Sequence, residues 1–136
     1  MMNNEMEIEK ISKFINISLA FLWIYQGLVP KILFTSPEEI AVWQWFGFHY
    51  DLAKTMGQAS GVAEVLFGLF FLIFPQKILH YFSILGLITL FFLIVLLIPD
   101  TLVRAFNPVV MNFSMIGLSI IYLMLKKIKF TESSST

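Results

Sequence analysis

The placement of charged side chains constrains this chain more than any other feature. The 17 residues from Phe14 to Pro30 carry no charge, Thr55 to Gln76 carry only Glu64, and Ile78 to Pro99 and Ala105 to Leu125 carry none. An apolar helix of about 20 residues spans the roughly 30 Å of bilayer hydrocarbon, and each stretch reaches or approaches that length. Four membrane-spanning helices are expected, over about residues 11–34, 57–74, 78–98 and 108–128. The composition agrees: 58% of the 136 residues are apolar, 13% are charged, and mean hydropathy is +0.83. A soluble domain needs about 25% charged residues to cover its surface. An amphipathic soluble bundle would also leave a polar face on each helix, and these helices are apolar all round. The fold class is therefore all-α, a transmembrane four-helix bundle in a single integral membrane domain, with the lipid bilayer as its first partner.

Other classes fall away on the same counts. Nine basic and nine acidic residues give zero net charge, so there is no electrostatic footprint for nucleic acid. Without cysteine there is no disulfide, thiolate-held metal or thiol relay. The histidines, His49 and His80, are too few for a histidine-rich metal site, and no metal is expected. His80, just after the Pro75-Gln76-Lys77 turn, reads as an isolated interfacial histidine. Met111 and Met115 read as adaptable packing. An acidic stretch from Glu5 to Glu9 and the lack of a small-x-small site after Ala20 argue against a cleaved signal peptide.

With four spans, both termini share a side with the short turn between spans two and three. Six lysines lie on that side (Lys10, Lys13, Lys77, Lys126, Lys127, Lys129), against Lys31, Lys54 and Arg104 on the other. The positive-inside rule then places both termini in the cytoplasm and the protein in the cytoplasmic membrane. The loops 35–56 and 100–107 face outward. In the first of them, Ser36-Pro37-Glu38-Glu39 is a helix-start signal, with Ser36 as cap, Pro37 at the first helical position and Glu39 able to close a capping box. A short interfacial helix is expected over about residues 37–46. Its Trp43, Trp45 and Phe46 either sit at headgroup level or form a lid over a pocket between the spans.

Glu64 is the informative residue, because a carboxylate within a span is costly unless paired, protonated or facing water. Gly57, Gly61, Glu64 and Gly68 fall at offsets 0, 4, 7 and 11, on one face of an α-helix. Small residues on that face let a neighbouring helix approach closely, so Glu64 should point into the bundle. Gln26 and Lys31 on the first span and Asn112 on the fourth lie at similar depth, with Arg104 above. A polar cluster of Gln26, Lys31, Glu64, Asn112 and Arg104 is expected in the outward half. Three readings stay open: interhelical hydrogen bonding alone, a ligand pocket, or a proton path built on Glu64, whose protonation state the sequence leaves undetermined.

The strings Trp23-Ile24-Tyr25-Gln26-Gly27-Leu28-Val29-Pro30-Lys31, Ser36-Pro37-Glu38-Glu39, Gly61-Val62-Ala63-Glu64-Val65-Leu66-Phe67-Gly68 and Asn107-Pro108-Val109-Val110-Met111-Asn112 resemble the DoxX-like family of small four-span membrane proteins. The resemblance covers about residues 11–125 and marks Pro30, Lys31, Glu64 and the 107–112 segment as hallmark positions. The family takes its name from a small subunit associated with a terminal quinol oxidase, which implies a quinone-linked accessory role. No intrinsic redox centre is expected, so any electron transfer would need a bound quinone or a partner subunit. The favoured function is binding without autonomous catalysis: a quinone, a lipid or another hydrophobic small molecule, or a partner subunit or second copy of the chain. The alternatives are a small proton-coupled transporter with Glu64 as coupling carboxylate and a membrane isomerase using Glu64 as acid or base.

Overall fold

The computed structural model describes residues 2–105 and 107–134. These residues form five α-helices: α1 (Met2–Gly27), the short α2 (Pro37–Trp45), α3 (Tyr50–Ile73), α4 (Lys77–Leu97) and α5 (Pro108–Ser134). A π-helical turn, Leu28–Leu33, prolongs α1, and a 3-10 turn, Pro99–Val103, leads out of α4. Four segments are long and apolar enough to cross a membrane, Asn3–Leu33, Tyr50–Ile73, Lys77–Leu97 and Pro108–Thr131. The second begins seven residues before the expected Gly57. Asp51 and Lys54, which ended the apolar stretch, are exposed and are tolerated on a helix that projects beyond it.

The bundle is apolar outside and partly polar inside. Phe14, Phe21, Phe82, Phe92, Leu96 and Phe113 are exposed, whereas Asn16, His80, Ser83, Asn112 and Ser119 are buried. That inversion suits lipid as solvent, where apolar side chains lose nothing by facing outward and polar groups must find partners inside.

Helices α1 and α3 pack backbone to backbone. A Cβ at Gly27 would meet the Gly61 carbonyl oxygen at 2.4 Å, and one at Gly61 would meet the Gly27 oxygen at 2.6 Å and Lys31 Cβ at 2.7 Å. The expected glycine face is therefore a contact face, although its first member, Gly57, lies at ordinary distance from Glu39, Thr35 and Trp43. Asn107 starts α5, its Oδ1 accepting from the backbone N–H of Val109 at 3.1 Å and of Val110 at 3.4 Å, with Pro108 at the first helical position.

At the end of the bundle that carries both termini, His80 is fully buried, which corrects the expectation of an isolated interfacial residue. Its Nε2 is 3.0 Å from Asn16 Oδ1 and its Nδ1 3.3 Å from Ser119 Oγ. The ring stacks on Tyr122 with centroids 3.7 Å apart, and Phe71 meets it edge-on. The Tyr122 hydroxyl donates to the Pro75 carbonyl at 3.2 Å, and Trp23 Nε1 donates to Ser83 Oγ at 3.0 Å. Partners 64 and 39 residues distant in sequence occupy both ring nitrogens, which no local pattern announces. Leu19, Leu87 and Met115, all fully buried, belong to the apolar core that also contains Trp23 and Tyr122.

Candidate functional site

Pro30 shapes the other end of the bundle. It has no N–H to donate, and its ring pushes on the carbonyl four residues earlier, so the last turn of the first span cannot remain α-helical. It widens: the Phe34 N–H donates to Val29 O at 3.1 Å and the Ser36 N–H to Pro30 O at 2.7 Å. Thr35 closes the turn at φ 39°, a conformation that a β-branched residue holds only when its surroundings fix it. Its Oγ1 donates to the Lys31 carbonyl at 2.8 Å and accepts from Gln58 Nε2 at 3.3 Å.

The result is a buried lysine, only 4% exposed. Gly61 leaves room for its stem, and Lys31 Nζ reaches Glu64 Oε1 at 2.8 Å and Glu39 Oε2 at 3.3 Å. Glu64 thus points inward, as its glycine face implied. Glu39 does not close a capping box, and Ser36 makes no side-chain cap bond at the start of α2. The physical reason is local: Pro30 already occupies the Ser36 N–H, and a buried ammonium binds a carboxylate more strongly than a backbone amide does. The sequence reading missed Glu39 as a member of the cluster because its capping role accounted for it.

Helix α2 folds back over a cavity of about 860 Å³. Gln26, Pro30 and Lys31 line it from the first span, Glu39 and Trp43 from α2, Phe46 from just beyond its end, and Glu64 from α3. Leu90, Ile94 and Ile98 add an apolar wall, and Arg104, Met111 and Asn112 complete the lining. All five expected cluster residues, Gln26, Lys31, Glu64, Asn112 and Arg104, therefore share one cavity. Arg104 stands at its rim, paired with Glu38 and largely exposed. Of the three aromatic residues expected at the interface or lid, Trp43 and Phe46 line the cavity, while Trp45 is 63% exposed and touches Phe46 from outside it.

Gln26 Nε2 donates to Asn112 Oδ1 across a long 3.4 Å contact. Gln26 Oε1, Asn112 Nδ2 and Glu64 Oε2 are buried and make no hydrogen bond within the protein. Among the described residues one further buried side-chain atom shares that state, Ser12 Oγ; the other three all belong to residues lining the cavity. Each such atom costs about 1–3 kcal/mol when left unpaired, so their concentration at one cavity is chemically significant.

Fold and site define a multi-pass integral membrane protein with a mostly apolar cavity, bearing a few polar groups, at one end of its helix bundle. The model of the DoxX-like family matches residues 20–120, and the chain belongs to that family. Comparisons with curated proteins and with solved structures find no significant match.

Proposed function

We propose that this protein lies in the cytoplasmic membrane with both termini in the cytoplasm. In this reading it binds a hydrophobic small molecule, a quinone or a lipid, in its outward-facing cavity, and acts without catalysis of its own, as an accessory component of a quinone- or lipid-linked process. One observation carries the reading: a cavity of about 860 Å³, walled by Leu90, Ile94, Met111 and Trp43, whose lining residues Gln26, Glu64 and Asn112 each hold a buried polar atom without a partner. Its size falls in the range of small-molecule sites, about 300–1,000 Å³, and its mostly apolar lining with few polar anchors is their usual composition. The Lys31 ammonium on Glu64 has the geometry of a positioning ion pair, which favours a static binding site over a carboxylate that shuttles protons.

Purification in mild detergent, followed by solvent extraction and mass spectrometry, tests the binding role. About one apolar molecule per chain is expected; a folded protein that is consistently empty contradicts it. The absence of native cysteine permits a clean test of orientation. Ser36→Cys and Asp100→Cys should react with an impermeant thiol reagent on intact cells, and Gln76→Cys and Ser133→Cys only after permeabilisation. The inverse pattern would put the cavity on the cytoplasmic side.

A further inference from the structure

The cavity's hydrogen-bonding pattern restricts the chemistry of what fits it, and the restriction rests on the binding role proposed above. Gln26 and Asn112 come from different spans, are buried, and share a single hydrogen bond. That leaves the Gln26 Oε1 acceptor and the Asn112 Nδ2 donor group unused within the protein, beside the unpaired Glu64 Oε2 of the ion pair. Exchanging nitrogen and oxygen in both amides reverses the shared bond and again leaves one donor and one acceptor, so the pattern does not depend on how the amides are assigned. The nearby charges add a second restriction. Two cations, Lys31 and Arg104, line the cavity with three carboxylates, Glu38, Glu39 and Glu64, and each cation is already engaged by a carboxylate.

We infer that the cavity selects an apolar molecule whose head is a hydroxyl group and carries no negative charge, a lipid alcohol in the broad sense. A single hydroxyl donates to the free amide oxygen and accepts from one N–H of the free amide nitrogen, so each of the two unpaired atoms gains a partner. A carbonyl head, such as that of a quinone, satisfies the donor and leaves Gln26 Oε1 buried and unpaired, which costs binding. An anionic head finds no free cation and meets surplus negative charge.

The test compares three probes with one tail: 1-hexadecanol, hexadecyl methyl ether and hexadecanoate. Each is titrated against the full-length protein in one detergent and followed by native mass spectrometry. The ether accepts but cannot donate, so it should bind about tenfold more weakly than the alcohol, the usual consequence of one buried acceptor left unpaired. Hexadecanoate should bind more weakly still. Repeating the titrations on Gln26→Met/Asn112→Leu cancels differences in micelle partitioning, and there the alcohol-to-ether ratio should collapse towards one. If the double variant does not fold, Gln26→Met alone serves the same purpose, since it removes one member of the pair. An alcohol-to-ether ratio equal in wild type and variant, or tighter binding of hexadecanoate, overturns the inference and leaves the cavity as a less selective site. Binding of none of the three probes overturns the inference and the proposed binding role together.

Discussion

Two buried polar regions occupy opposite ends of this bundle, and they are built on different principles. Around His80 the partners close on one another: both ring nitrogens are engaged, Tyr122 stacks on the ring, and the Tyr122 hydroxyl reaches Pro75. Around Lys31 the charges are satisfied, but the neighbouring amides and one carboxylate oxygen keep unused capacity beside a large cavity. Both regions bury polar atoms among apolar helices. The difference lies in whether the protein itself supplies the last partner. Where it does, the network fixes helix positions; where it does not, the remaining capacity is what the proposed ligand would use.

Substitutions that separate the two regions sharpen this contrast. The largest effect is expected for Lys31→Met, which leaves Glu64 and Glu39 facing each other without their shared cation. Removing one partner from a buried ion pair costs about 3–5 kcal/mol, and unfolding in detergent by denaturant should show a loss of that size. Next comes His80→Leu, which strands Asn16 and Ser119 and removes the Tyr122 stack. A loss of about 2 kcal/mol is expected, with the co-purified ligand retained. Gln26→Met combined with Asn112→Leu removes both members of a pair that is only half used, so stability should stay within about 1 kcal/mol of wild type while ligand is lost. Arg104→Gln should be nearly silent, about 0.5 kcal/mol or less by the same unfolding measurement, because its pair with Glu38 is largely exposed. A large effect there would move the centre of the site to its rim.

The sequence revealed the two regions unequally, for reasons particular residues make plain. Glu64 could be placed inward because its register with Gly61 and Gly68 is local to one helix, and helix periodicity converts spacing into direction. Lys31, next to a helix-breaking proline at the same depth, was a natural partner. Glu39 escaped because Ser36, Pro37 and Glu39 fit a capping motif so well that no second role was needed. The cavity itself could not be read, since its volume depends on how far the π-helical turn at Pro30 returns α2 over the bundle. The His80 network was invisible for a related reason: its ring is held from α1 and α5, and only the packed bundle brings those helices together.

The most direct measurement is the amount of apolar ligand carried through purification by two variants side by side, His80→Leu and Gln26→Met/Asn112→Leu, with thermal unfolding recorded on the same samples. The account predicts that the first melts at lower temperature yet carries its ligand, and that the second melts like wild type and is empty. It is contradicted if the amide variant stays loaded, or if His80→Leu loses ligand while remaining folded, since the two ends of the bundle would then not divide structure from binding.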